Sequence, residues 1–176
     1  LPDEALAFQL RACQTITRLL GVATYASERY EADDLLGSLY QQCRRSVAPI
    51  AILTRDKDLG QLLQRPQDFL WDYAADKRLY HNDVMQKMGV RPDQLVDYLA
   101  LVGDAVDDIP GVTGIGAKTA AKLLNRYQTI EALLADIPSW ATTPPVDIRG
   151  ARTIAERLVE YREQIAMSQQ LATIVT

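Results

Sequence analysis

The chain has 176 residues, 48% of them apolar, and a net charge of −4. That is enough to bury one sizeable core, and the modest negative charge argues against a general polyanion binder. No run of 18 apolar residues occurs, so neither a membrane-spanning helix nor a secretory leader is expected. The two cysteines, Cys13 and Cys43, lack metal-ligand spacing and read as free thiols of a cytoplasmic protein.

Taken in chain order, Asp3 is suited to cap an amphipathic helix that runs to about residue 20, where Gly21 stops it. A short strand is expected at 22–26 and a second helix at 31–45. The run 47–54 is nearly all apolar and predicts a strand buried on both faces of a parallel sheet. Residues 68–73 and 78–80 predict a hairpin across a polar turn. Helices follow at 82–88 and 92–102, with Pro92 suited to a first helical position. Further helices are expected at 117–127, 129–134 and 150–169, a loop at 142–145, and an extended segment at 171–176. Strands come early and helices fill the second half. The expected fold class is therefore α/β: a parallel-sheet core over 1–91 and a helical lobe over 92–176.

Charge divides along the chain. Residues 1–110 carry 12 Lys/Arg against 17 Asp/Glu, and residues 111–176 carry 7 against 6. Eight carboxylates fall in three clusters: Glu31, Asp33 and Asp34; Asp56 and Asp58; Asp104, Asp107 and Asp108. Each cluster lies at a boundary between an apolar element and a loop. Acidic residues at a helix start also complement the helix dipole, and Arg55-Asp56-Lys57-Asp58 could be a solvated loop. An extended backbone would turn Asp56 and Asp58 to one side, and one turn would join Asp104 to Asp107. Together the clusters suggest an oxygen-only site for hard divalent ions, Mg²⁺ or Mn²⁺. Two such ions suit phosphodiester cleavage. The sole histidine, His81, is isolated and reads as a surface or helix-cap residue.

Directly after the third cluster come Gly111, Gly114 and Gly116, which permit positive φ and close backbone approach. A helix starting at Ala117 would offer free amides to a phosphate, with Lys118 in its first turn. A nucleotide P-loop needs lysine directly after its second glycine and a preceding strand. Here Ala117 intervenes and a helix precedes. A helix–hairpin–helix contact to a nucleic-acid backbone fits better.

Three stretches, Tyr30-Glu31-Ala32-Asp33-Asp34-Leu35-Leu36-Gly37, Thr54-Arg55-Asp56-Lys57-Asp58 and the segment 103–121, resemble the 5′-nuclease (flap endonuclease) family in content and order. So do Arg149-Gly150-Ala151-Arg152 and Leu171-Ala172-Thr173-Ile174. The resemblance implies a PIN-like 5′-nuclease core and a helix–three-turn–helix DNA-binding element at about 92–127. It implies 5′→3′ exonuclease or flap endonuclease activity on DNA with a 5′ flap, nick or 5′ end, by a monomer. Glu31, Asp33, Asp34 and Asp56 would serve a first Mg²⁺ or Mn²⁺, and Asp58, Asp104 and Asp107 mainly a second. DNA would meet Gly114, Ile115, Gly116, Ala117, Lys118 and Thr119. A K⁺ ion would sit on the main-chain carbonyls of Leu101, Val102, Pro110, Val112 and Ile115. One stand-alone bacterial subgroup lacks the second-metal carboxylates; this chain has Asp104 and Asp107. The family's first strand with its aspartate, a second acidic residue and the basic helical arch have no counterpart here. The sequence opens at Leu1-Pro2 and reads as the interior of a longer protein. That leaves a catalytically inactive, structure-selective DNA-binding protein as the alternative, and a toxin-like ribonuclease as a weaker one.

Overall fold

Helix α1 (Glu4–Leu19) begins where the Asp3 carboxylate accepts the Leu6 amide at 2.7 Å, the cap expected from the sequence. The computed structural model describes residues 3–176. No side chain of α1 is buried, and Phe8, Ile16 and Leu19 face solvent. Residues 22–26 are not a strand. Among the described residues no other strand pairs with them, and β propensity alone does not hold an unpaired ladder. Helix α2 (Ala32–Cys43) follows.

The sheet is smaller and more mixed than the sequence suggested. Strand β1 (Ala51–Leu53) is three residues long, with only Ile52 buried; Val47 and Leu53 are exposed. The apolar run 47–54 is therefore not a strand buried on both faces. β1 runs parallel to β2 (Phe69–Asp72), and β2 pairs antiparallel with β3 (Lys77–Tyr80), in the order β1-β2-β3. The expected parallel core is realised in one strand pair. The connection from β2 to β3 is too short for a crossover, so that pair must be antiparallel.

The helical half comprises α3 (His81–Met88), α4 (Leu95–Val102), α5 (Ala117–Tyr127), α6 (Ile130–Asp136), α7 (Ala151–Glu160) and α8 (Arg162–Ala172). Short 3₁₀ turns at Asp58–Leu62, Pro92–Gln94 and Ile137–Ala141 were not legible in the sequence. Leu171 and Ala172, expected to be extended, close α8 instead. α4 is the central helix: Leu95, Leu99, Ala100 and Leu101 are buried, and it packs on α5 and α8. Two side chains lock it there. Gln94 donates to the carbonyls of Leu124 and Gln128, both at 2.9 Å. Asp97 accepts from Gln169 at 2.7 Å and from the Ile130 amide at 3.0 Å.

A buried polar knot fixes α2 against β1. Asp68, fully buried, accepts from Tyr40 Oη at 2.6 Å, from the Ile50 amide at 2.9 Å, and twice from Arg65 at 2.8 Å. Burial pushes the Asp68 carboxyl up, but the hydrogen bonds from Arg65 and Tyr40 outweigh it and hold it below the ordinary range. The knot matters because α2 and β1 lead into the first two acidic clusters.

Candidate metal centre

The three acidic clusters meet at one cavity of about 290 Å³, lined by Glu31, Asp33, Asp34, Asp56, Asp58 and Asp107 together with Gln61, Ile109 and residues 171–174. Glu31, Asp33 and Asp34 come from the N-terminal turn of α2, where the Glu31 amide donates to Asp34 Oδ2 at 3.2 Å. Asp34 is thus a helix cap as well as a wall of the cavity. Asp56 and Asp58 arrive by a different route from the extended one expected. The Asp56 amide donates to Thr54 Oγ1 at 3.0 Å, and the Asp58 amide to Asp56 Oδ1 at 2.9 Å. These bonds bend the chain after β1 into the 3₁₀ turn at Asp58–Leu62, and both carboxylates still face the cavity.

The loop after α4 is pinched shut by a two-way backbone pairing of Asp104 with Ile109, at 2.9 and 2.8 Å. The pinch brings Asp104 and Asp107 together. Ligand oxygens of Asp58, Asp104 and Asp107 all lie within 4.8 Å of one another. Asp104 lies behind the cavity wall, 8% exposed, and Lys57 Nζ sits 2.8 Å from its Oδ2. Asp108 adopts φ +54° in the same loop and does not line the cavity.

Electrostatics in this cluster are unfavourable without a cation. Burial, reinforced by Asp56, Asp104 and Asp107 and opposed by Lys57, pushes the Asp58 carboxyl up to about 6. Burial and the neighbouring Asp56, Glu31, Asp34 and Asp107 likewise raise Asp33. The Lys57 hydrogen bond has the opposite effect on Asp104, holding it below the usual carboxylate range, and Asp104 raises Lys57 in return. Among the described residues, Asp58 Oδ1 is buried with no hydrogen-bond partner. An orphaned, desolvated carboxylate oxygen among like charges fits a hard divalent ion. Asp58, Asp104 and Asp107 would be the residues to hold such an ion, which would supply the positive charge this cluster lacks.

The glycine turn lies in the same loop. Val112 donates to the Leu101 carbonyl at 2.8 Å, and Ile115 to that of Val112 at 2.9 Å. A Cβ on Gly111 would stand 2.3 Å from the Val102 carbonyl carbon and oxygen, and one on Gly103 2.6 Å from the Gly111 nitrogen. Only glycine permits that crossing. The expectation of positive φ is met at Gly114 (+81°) but not at Gly111 or Gly116; Gly116 is the extended N-cap of α5, with φ −93°. Ala117, Lys118 and Thr119 then form the first turn of α5, with Lys118 exposed. Of the five carbonyls named for K⁺, Leu101 and Val112 accept the bonds just given, and Pro110 accepts from Ser168 Oγ at 2.8 Å. Each keeps a second lone pair for a cation.

Sequence reasoning missed Lys57 as the partner of Asp104, although it stands between two aspartates. It also missed Gln61 and the segment after α8. Val175 donates its amide to Asp34 Oδ1 at 2.8 Å, across 141 positions. Cys13 and Cys43 are free and exposed, and His81 opens α3. No helix among the described residues is long and apolar enough to cross a membrane.

Comparison with known proteins gives this geometry a family. Residues 1–89 match the family described as 5′-3′ exonuclease, N-terminal resolvase-like domain, and residues 90–176 match 5′-3′ exonuclease, C-terminal SAM fold. DNA polymerase I of Pseudomonas aeruginosa is 39% identical over the whole chain, which spans 19% of that protein. A 5′-3′ exonuclease of Buchnera aphidicola is 34% identical over 99% of the chain, which spans 59% of that relative. The chain thus spans less than two thirds of the length of each of these relatives. Among solved structures, T5 5′-exonuclease with bound zinc aligns at a TM-score of 0.78 and 18% identity, over 99% of this chain and 63% of that one. A bacteriophage T5 flap endonuclease, in a pseudo-enzyme–product complex with DNA and metal ions, aligns at 0.73 and 17%, over 94% of this chain and 56% of that one. At such identities these two establish the fold alone: a mixed α/β layer with a small, partly parallel sheet, followed by a helical SAM-like half. Family matches over both halves, a whole-chain relative at 39% identity and the shared fold agree, and the chain belongs to the 5′-3′ exonuclease family.

Proposed function

We propose that this chain carries the metal-holding and duplex-gripping parts of a divalent-metal-dependent, structure-selective 5′-nuclease. Its substrate would be DNA with a 5′ flap, nick or 5′ end, met by a monomer in the cytoplasm. The observation that carries the reading is the approach of Asp58, Asp104 and Asp107 oxygens to within 4.8 Å, beside four further carboxylates in a member of this family. Glu31, Asp33, Asp34 and Asp56 would hold one Mg²⁺ or Mn²⁺, and Asp58, Asp104 and Asp107 a second. Bound ions would supply Lewis-acid charge at the phosphodiester and a more acidic water. The carboxylates hold and orient; none is assigned as a general base. Lys57 gives Asp104 a charge partner at 2.8 Å, which keeps one of the second set ionised and in place.

The hairpin has a different task. Amides of Gly114 to Thr119 and the Lys118 ammonium would bind backbone phosphates at the start of α5, gripping the duplex without reading its sequence. Carbonyls of Leu101, Val102, Pro110, Val112 and Ile115 would hold K⁺ beneath that contact. In domain terms, residues 1–91 would be the C-terminal portion of the α/β nuclease core and 92–176 the helical DNA-binding lobe.

The test is parallel measurement, in the intact protein, of flap cleavage in Mg²⁺ and flap binding in Ca²⁺. Replacing both Asp104 and Asp107 by Ala is expected to cut cleavage at least about 100-fold. Binding should change little, or tighten as local repulsion falls. A double variant that cleaves at the parental rate refutes the metal assignment. A parent that binds flaps and never cleaves makes a structure-selective DNA-binding protein the better account.

A further inference from the structure

We propose that α8 and the segment after it form a strut that sets the offset between the duplex-gripping hairpin and the acidic cavity. Gln164 and Gln61 are the positioning residues at its two ends. The proposal rests on the functional reading above and adds what decides where the strand is cut.

At the hairpin end, one helical stripe follows the loop backwards. Arg157, Tyr161, Gln164 and Ser168 are spaced four, three and four residues apart, so they share a face across the α7–α8 junction. The Arg157 guanidinium lies over Gly114, where a Cβ would come within 1.5 Å of its Nη1. Tyr161 Oη donates to Thr113 Oγ1 at 3.1 Å. Gln164 donates to the Gly111 carbonyl and Ser168 to the Pro110 carbonyl, both at 2.8 Å. Midway, Gln169 pins α8 to α4 through Asp97 at 2.7 Å.

At the cavity end, both the nitrogen and the oxygen of the Gln61 amide are engaged. Its Nε2 donates to the carbonyls of Asp58 at 3.1 Å and Ala172 at 3.0 Å, and its Oε1 accepts the Ile174 amide at 3.1 Å. One residue further on, Val175 holds Asp34 Oδ1 at 2.8 Å. Gly37 on α2 lets this segment lie close: a Cβ there would stand 2.8 Å from the γ-methyls of Ile174 and Thr176.

One short helix therefore touches the loop proposed to hold the duplex and, past its end, one carboxylate proposed to hold metal, Asp34, and through Gln61 the main chain of another, Asp58. From Gln164 to Ala172 the rise is about 12 Å, and one nucleotide step is about 3.4 Å. Slack of a few ångström at either end would blur the cut by a nucleotide. The loop at 103–116 joins the two sites through the chain itself, and the strut braces that loop from outside at Pro110 and Gly111.

The experiment uses the intact protein and an end-labelled 5′-flap duplex in Mg²⁺, with products resolved to single nucleotides. In Gln61→Ala and in Gln164→Ala, products one or two nucleotides from the main cut are expected to rise at least about threefold relative to it, the effect of one net hydrogen bond. A lower rate with an unchanged product pattern overturns the proposal. Amide hydrogen exchange supplies a readout that needs no activity. Gln164→Ala, at the hairpin end, should speed exchange at Ile174 and Val175 by about threefold or more. Unchanged exchange there also overturns it. If the parent does not cleave, the nuclease reading fails while the exchange measurement still decides whether the strut exists.

Discussion

The acidic cavity and the glycine hairpin share one loop, residues 103–116, yet opposite forces hold them. In the cavity, carboxylates face each other, two of them raised above their ordinary range, and Asp58 Oδ1 has no partner. In the hairpin, Val112 and Ile115 pair with carbonyls in the loop and α4, Gln164 and Ser168 cover two more carbonyls, and glycines bring two stretches of backbone into contact. The hairpin is held by hydrogen bonds and close backbone contact. Among the described residues no lysine or arginine lines the cavity, and Lys57 pairs with Asp104 beside it. One part of the loop is held by packing, whereas the other is where the proposed cation would add the missing charge.

The largest effect should come from breaking the hairpin's close approach. Gly111→Ala sets a Cβ against the Val102 backbone, which cannot yield as a flexible side chain would. A loss of about 2–4 kcal/mol is expected from such overpacking, read as a lower denaturation midpoint with an unchanged m-value. DNA affinity should fall with it. Parental stability would show that the crossing at Gly103 and Gly111 is not tight.

An intermediate effect, of opposite sign, should come from relieving the cavity. The folded Asp58 carboxyl titrates at about 6, against a reference value of 3.8. The folded state therefore holds this proton more tightly than the unfolded chain does. Its contribution to stability is present below about pH 4 and is lost as pH rises through about 6. Asp58→Asn should then raise the metal-free melting temperature at pH 7.5 by about 3 °C, with the gain vanishing at pH 4. Added Mg²⁺ should stabilise the parent more than the variant. A variant less stable than the parent at pH 7.5 without metal would remove the charge-repulsion account.

The smallest effect belongs to the exposed cation of the hairpin. Lys118→Ala should weaken duplex binding about threefold, equally for unrelated sequences, and lower the salt slope by about one unit. A changed sequence preference, or unaltered affinity in low salt, would remove Lys118 from the contact.

Much of the molecule was legible from residue pattern. Asp3, Gly21 and Pro92 mark helix ends because caps and stops act over three or four residues, and the structure has helices beginning or ending beside each. The Asp68–Tyr80 hairpin was legible for the same reason. Strand length was not. The apolar run 47–54 has the composition of a strand buried on both faces, but a ladder exists only where another strand lies alongside, and only Ala51–Leu53 has one.

The candidate site divides in the same way. Sequence determined which residues carry charge, that they fall in three clusters, and that glycines precede a helix start, because composition and local spacing are properties of the chain. Tertiary structure alone decided that the clusters face one cavity, that Lys57 pairs with Asp104, and that the segment after α8 returns to Asp34. Those contacts join residues up to 141 positions apart. They exist because α4, α8 and the small sheet pack around shared apolar side chains, and no local pattern encodes where that packing brings two distant segments together.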